Sequence, residues 1–576
     1  MHSASNATNS FTRHSRRGIR CPVRWHLMTS VAISIAFASS ARAQETTPAR
    51  EASSGTEASS PASTPAGTNT DAPKKLEPTT AAVPQNAATT AKVPPPTATP
   101  PSAPAGELIS LRTMYEKGIL SEGEYQRALL ELGGGRGVIS VEKAGWVASL
   151  YGLVKSDYSY DTTESFLDNF GGMQVARPST YAGKHGRSTF SIRDSRFGVR
   201  LRGGLDKSVK TSGLFELDFL GNSPPLGFSE RYEIPEAPFF TNPTVRVRQA
   251  FIALETPVVN FLFGQTWSVL GGQPFYQPAT LAIQGIPGDI YSRNPQLRIS
   301  RTIDAGKLHI DLQAAALRPP SRASSYPAFQ NALRVSYDGW KGIQTTGSHV
   351  TVTNPVSIHV SSDARRIVVP ELSAAPTDTR YINTVSIVAA AFIPVIPAPK
   401  TGKANALSLV GSIAYTSGAA EQFTILQSGI GFPALANPTG ANPAPRYPQD
   451  IDGGSVAYGL DGSLHAIRWN SYRVGAQYYL PFLDGRFFVA GNFSRMTSPN
   501  VSDFTRKPGV AADNAVTHLS SAENVYNQKT YADGTLFFDA TDALRLGAAY
   551  MTIRDRYVDG IHATNHRVHF SALLGF

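Results

Sequence analysis

The chain ends on HRVHFSALLGF, His566–Phe576. Val568, Phe570, Ala572, Leu574 and Phe576 fall on one face of a two-residue period, and Arg567, His569 and Ser571 fall on the other. This is the pattern of a strand with one apolar and one polar side, closing on an aromatic residue of the apolar side.

The same alternation recurs upstream. In RFGVRLR, Phe197, Val199 and Leu201 oppose Arg196, Arg200 and Arg202. In LFELDFL, Phe215, Leu217 and Phe219 oppose Glu216 and Asp218. In LHIDLQ, Leu308, Ile310 and Leu312 oppose His309, Asp311 and Gln313. Sixteen such segments lie between 145 and 576, including 331–338, 343–361 and a last one at 566–576. If the apolar faces meet lipid, an arginine among them costs about 2–4 kcal/mol at mid-depth. The charged faces therefore point inward. That assigns Arg196, Arg200, Arg202, Arg298, Arg334, Arg473, Arg545 and Arg567 to a lumen, with Glu216, Asp218 and Asp311. Arg246 and Arg248 join them only if a bulge corrects the parity disturbed by Gln249 and Phe251. Two readings stay open: the guanidinium groups attract anions, or they pair with the acids and brace the wall.

The connections alternate between short and long. The short ones are read at GGLDKSVK near Asp206, TPVV at Thr256, DAGK at Asp304, DGWKG at Asp338, FLDG at Asp484 and ATDAL at Asp542; the long ones at 162–188, 221–244, 271–293, 419–465 and 499–525. Short periplasmic turns and long external loops are the habit of transmembrane barrels. An all-β, antiparallel up-and-down barrel of about sixteen strands is expected over 145–576, wide enough to leave an aqueous lumen. A soluble propeller would need a repeat every 40–50 residues, and none is visible. No run of about 18 apolar residues occurs downstream of the amino terminus, so no transmembrane helix is expected.

Residues 1–43 read as a signal peptide: a long basic region, an apolar core at Leu27–Ala38 and small residues at Ala41–Ala43. The sole cysteine, Cys21, precedes that core, so neither lipidation nor a disulfide is expected. Residues 44–106 are rich in Pro, Ala, Thr and Ser and cannot build a core, which predicts a disordered periplasmic spacer. Residues 107–132 predict a short helical hairpin, with Ser121 and Glu124 as a capping box for its second helix. This piece resembles SHOCT-like two-helix modules, which implies an oligomerisation element; the alternative is a hairpin packed on the barrel mouth. Residues 133–144, opening with GGGRG, read as a flexible linker without the Lys-Ser/Thr of a phosphate loop.

The formal net charge is +10, but the basic residues are dispersed and no nucleic-acid motif appears, so no nucleic-acid partner is expected. His562, His566 and His569 cluster in sequence, yet HATNHRVH lacks the glutamate of a zinc helix and leads into a strand. Neither an enzyme nor a cofactor or metal is expected. Trp146, Tyr151, Trp340, Trp469, Tyr478, Tyr479, Tyr550 and Tyr557 recur near strand ends, as interfacial aromatic belts do.

SRFGVRLRG, GLFELDFLGN, VRVRQAFIAL and FLFGQTWSVLGG resemble the DcaP-like outer-membrane porins and, more loosely, other general porins. The resemblance spans roughly 145–576, is best in the first third, and is sharpest at Gly264–Ser268. It implies a homotrimer in outer-membrane lipid, passing small anionic solutes such as dicarboxylates. It further implies that loop 271–293 folds into the barrel, making Asp289, Tyr291 and Arg293 constriction candidates; the alternative is an ordinary external loop. The expected function is passive diffusion of small, preferentially anionic solutes, with both chain ends in the periplasm and the spacer free to meet periplasmic components. The alternative is an envelope-anchoring barrel of little conductance.

Overall fold

A computed structural model describes residues 139–143 and 146–576, except 169–173, 204–208, 222–243, 322, 374–375, 400–401, 425, 427–453, 460–461 and 507–519. The signal peptide, spacer and helical hairpin expected from the sequence lie outside the described residues.

The barrel has sixteen strands. They are β1 (Trp146–Asp161), β2 (Arg187–Ser191 continued by Arg196–Gly203), β3 (Lys210–Asp218), β4 (Arg246–Glu255), β5 (Asn260–Trp267), β6 (Arg293–Ala305), β7 (Leu308–Leu317) and β8 (Ala328–Thr346). They continue as β9 (Val350–Pro370), β10 (Thr379–Ile396), β11 (Leu407–Ser417), β12 (Arg468–Tyr479), β13 (Phe487–Thr497), β14 (Tyr526–Asp539), β15 (Leu544–Tyr557) and β16 (His562–Gly575). Each pairs antiparallel with its sequence neighbour, and β16 closes on β1 in register Leu153↔Gly575 to Asp161↔Arg567. The last residue completes the seam, with Gly152 and Phe576 exchanging both backbone hydrogen bonds. Ile139–Lys143, inside the stretch read as a linker, forms a strand against Trp146–Leu150.

Burial alternates along the strands, as the sequence predicts. Val199, Phe263, Ile299, Ile413, Val474, Leu536 and Phe570 are exposed on the outer face. Arg200, Glu216, Asp311, Arg473, Arg545 and Arg567 are buried on the inner one. This is the two-sided wall of a transmembrane barrel. The suspected bulge lies in β4: the register to β3 shifts between Glu216 and Leu217, and Arg248 becomes fully buried. Gly264 sits beside it with φ 133, where a Cβ would stand 2.3 Å from the Ala250 carbonyl oxygen. Only glycine accommodates that approach.

Two sequence expectations need correction. Asp338–Gly342, read as a turn, lies within β8. The turn residues there form an irregularity, with the β8–β9 register shifting between Tyr337 and Lys341; the chain reverses at Gly347, φ 58. Of the aromatics assigned to interfacial belts, Tyr151, Trp469, Tyr479 and Tyr557 are buried inside. Their strands carry aromatic residues on both faces, so proximity to a strand end did not specify direction.

Candidate functional site: two inserts in the barrel lumen

The long connection 268–292 between β5 and β6 turns inward. Its backbone carbonyls are taken by inner-face side chains of distant strands: Ser471 Oγ donates to Gly288 at 3.0 Å, Asn492 Nδ2 to Ala279 at 2.7 Å and Ser494 Oγ to Pro287 at 2.5 Å. Thr280 Oγ1 reaches Asp533 at 2.9 Å. An irregular segment can lie inside a barrel only when its peptide groups find such partners. Leu270, Tyr276, Leu281 and Ile286 are fully buried along it.

A second insert enters from the opposite, short-turn end. β8 pairs with β7 only through Ala328–Tyr337, and β9 pairs with β10 only from Ser357 onward. The intervening hairpin, Lys341–Pro355, pairs only with itself among the strands. Both its faces are largely buried, including Ile343, Gln344, Thr345, Thr346, Val350 and Val352. Thr345 N–H donates to Gln477 Oε1 at 2.8 Å, and Thr345 Oγ1 lies 2.7 Å from the Tyr479 hydroxyl. Arg545, on β15, donates to the Ser348 carbonyl at 3.2 Å and to Thr351 Oγ1 at 2.9 Å. His349 Nε2 lies 3.5 Å from Arg196 Nη1 on β2. The tip therefore crosses the lumen from β8–β9 to β15 and β2.

The inserts divide the inward residues into two groups. Under them, pairing is close to one-to-one. Arg473 Nε lies 2.8 Å from Asp289 Oδ1, Arg545 Nε 2.6 Å from Asp539 Oδ1, and Arg567 Nη2 2.7 Å from Asp161 Oδ2. Lys529 and Asp555 add a fully buried pair at 2.7 Å. These side chains are 12% exposed or less and brace the wall.

The wall formed by β2–β8 differs. Ser300, Thr302, Gln313 and Arg334 keep partial solvent access, whereas Ser471, Asn492, Ser494, Thr535 and Ser571 on β12–β16 are buried. Solvent thus reaches the inner face on one side of the barrel. Arg248 bridges Glu216 at 2.7 Å and Asp218 at 2.9 Å; Arg246 holds Asp218 at 2.6 Å. Arg196 lies 3.3 Å from Asp194, and Arg334 3.1 Å from Asp311, with the Arg334 guanidinium 4.2 Å from the Phe275 ring centroid of the first insert. Arg200 is buried 5.8 Å from the Tyr151 ring, and Arg202 is half-buried at the short-turn end. Arg298 is held by Gln296 Oε1 at 2.8 Å and by the Trp267 carbonyl, with no carboxylate partner among the described residues.

The three constriction candidates separate. Tyr291 and Arg293 come together around Trp267: the guanidinium of Arg293 lies 4.8 Å from the Trp267 ring and 5.5 Å from that of Tyr291. Asp289 is turned into the opposite wall, on Arg473 and, at 3.1 Å, Gln273 Nε2. The hairpin tip, with Thr345, Ser348 and His349, has no distinctive sequence signal; the only hint was turn-forming Gly347-Ser348 within an otherwise regular strand pattern.

Asp157, His569 and Ser571 make a Ser–His–Asp set by composition. His569 Nε2 faces both Asp157 Oδ1 at 2.9 Å and Ser571 Oγ at 3.1 Å, and Ser571 also donates directly to Asp157. A relay needs the two ring nitrogens on different partners, and His569 Nδ1 has no hydrogen bond among the described residues. All three are buried. His562 and His566 point outward from β16. Among the described residues no group of three or more His, Cys, Asp or Glu is placed to hold a metal ion.

No family model and no curated protein matches the chain. Solved structures do. The outer membrane channel DcaP of Acinetobacter baumannii aligns at 16% identity and TM-score 0.50, over 76% of this chain and 99% of that one. An anion-selective porin from Comamonas acidovorans aligns at 11% identity and TM-score 0.42, over 75% and 100%. Salmonella typhi OmpF aligns at 11% identity and TM-score 0.40, over 76% and 100%. The chain thus has the sixteen-stranded barrel fold of the outer-membrane porins.

Proposed function

We propose that this chain forms a water-filled channel in a bacterial outer membrane for passive diffusion of small solutes, preferentially anions such as carboxylates. The observation that carries this reading is the charge imbalance on the solvent-reached wall. There Arg196, Arg202, Arg246 and Arg298 face inward on β2, β4 and β6 with partial solvent access, whereas the acids Asp194, Glu216 and Asp218 are buried, as are Arg200 and Arg248. Excess guanidinium on a wetted wall raises the local anion concentration and offers bidentate contacts to carboxylates. The likeness in fold to DcaP supports a channel, and the name of the Comamonas porin records anion selectivity in that protein.

In this reading the long loops face the exterior, and the short turns, carboxyl terminus and spacer face the periplasm. The working unit is a homotrimer in outer-membrane lipid, and the spacer meets periplasmic components. Tyr291 and Arg293 border the constriction, while Asp289 anchors the loop that builds it.

Planar-bilayer recording tests the proposal. Conductance steps in groups of three, with reversal potentials favouring chloride over potassium, are expected. Cation selectivity would remove the arginine-wall argument. A second reading is an anchoring barrel of little conductance, favoured by the hydrogen bonds that join the two inserts across the lumen. A folded barrel that passes no current would select it.

A further inference from the structure

The inner arginines of this barrel are largely paired; a set on its outer surface has no acidic partner among the described residues. Arg495 on β13, Thr530 on β14, Arg554 on β15 and Thr564 on β16 are direct cross-strand neighbours and form one row. Arg556 and His562 pair in the next row toward the long loops, and Arg468 on β12 lies near that level. All alternate with buried residues and so face outward. The row below them begins the apolar belt with Val474 and Phe493, which continues through Val489, Leu536, Leu546 and Phe570. No outward position of β12–β16 carries Asp or Glu. Arg554 and Arg556 make no ion pair among the described residues, and the one side-chain contact of Arg495 is with Thr530 Oγ1 at 3.3 Å.

Guanidinium groups at this height are placed at the headgroup boundary, their stems lying along apolar surface and their charges above it. Adjacent strands stand about 4.8 Å apart, so Arg495 and Arg554, two strands apart, present charges about 10 Å from each other. Arginine binds phosphate bidentately, and clustered basic residues at a membrane boundary select anionic headgroups. In a three-fold ring this face would meet a different face of the neighbouring copy rather than itself, so a subunit contact is one of the outcomes the binding test separates.

We propose that the outer face of β13–β16, centred on Arg495, Arg554 and Arg556, binds the phosphates of a glycolipid in the leaflet facing the long loops. The site rests on the proposed orientation of the barrel but not on its conductance.

The test uses the full chain purified in detergent, with native mass spectrometry as readout. Phosphorylated lipid A, the same lipid after enzymatic dephosphorylation, and inorganic phosphate are the probes. Wild type is expected to retain phosphorylated lipid A, and the triple variant Arg495→Gln, Arg554→Gln, Arg556→Gln to bind it roughly tenfold or more weakly. The matching triple lysine variant should keep most of the affinity. Unchanged heat-dependent gel migration and channel current in both variants separate lost binding from lost folding. Equal affinity for the dephosphorylated lipid overturns the site, as does wild-type affinity in the glutamine variant. Competition by inorganic phosphate at equimolar concentration makes it a free-phosphate site and overturns the lipid assignment. Dissociation of the glutamine variant into protomers with lipid binding intact makes the face a subunit contact and overturns it too.

Discussion

The backbone N–H of Thr280 donates to the carbonyl of Gly347 at 3.0 Å, and Gly347 N–H returns a bond to Pro278 at 3.0 Å. Thr280 belongs to the insert that enters from the long-loop end, and Gly347 to the hairpin that enters from the short-turn end. The two meet as a short bridge, Ala279↔Gly347, inside the barrel. Replacing Ile343–Thr353 with a two-residue turn removes the hairpin while leaving β8 and β9 paired in the wall. Single-channel conductance is then expected to rise severalfold. Conductance equal to wild type would show that the hairpin lies outside the solute path.

Arg298 and Arg473 both point inward, yet they should fail differently. Arg298 has no carboxylate partner among the described residues, so Arg298→Glu should shift the reversal potential toward cations with little change in stability. Arg473 and Asp289 are a buried pair, and Arg473→Ala leaves a carboxylate unpaired, costing about 3–5 kcal/mol. Its signature is a lower unfolding temperature and a noisier channel. The two measurements together check which wall faces the solute.

Gly264→Ala adds a Cβ at φ 133 against the Ala250 carbonyl. A side chain forced into that region costs about 1–3 kcal/mol. The heat-induced loss of the folded band on a gel should shift downward, whereas Gly534→Ala, which meets nothing within 4 Å, should leave it in place.

At the long-loop rim Arg177 Nη2 lies 2.5 Å from Asp559 Oδ2 and covers the Tyr557 ring. Burial raises the Asp559 carboxyl, but the Arg177 hydrogen bond and charge together with the Ile561 N–H outweigh it and hold the group below its usual value. A lowered folded pKa means the contact contributes fully above the unfolded value of about 3.9 and is lost as pH falls through the folded one. Amide exchange around 174–186, taken relative to the intrinsic rate at each pH, is therefore expected to quicken below about pH 4. Asp559→Asn should show the faster exchange at neutral pH and lose the acid dependence.

The alternation of side chains, the sixteen strands and the positions of the long loops were legible from the chain alone. Period-two burial is a local property: once lipid lies on one side, neighbouring residues fix which way Arg200 or Phe570 points. The turn misplaced at Asp338–Gly342 shows the limit. Asp, Gly and Trp there serve a register irregularity, and the reversal at Gly347 is set by contacts with a loop some seventy residues earlier.

The two roles of the inward arginines were not legible. Arg473 and Arg298 carry the same local signal, polar on an amphipathic strand. The difference is that loop 268–292 delivers Asp289 to Arg473, while among the described residues Arg298 meets only Gln296 and a carbonyl. The alternating residues determined a barrel with a charged interior. Only the tertiary structure decided which charges are covered and which meet water, because their partners arrive on inserts whose paths are set by hydrogen bonds to distant strands.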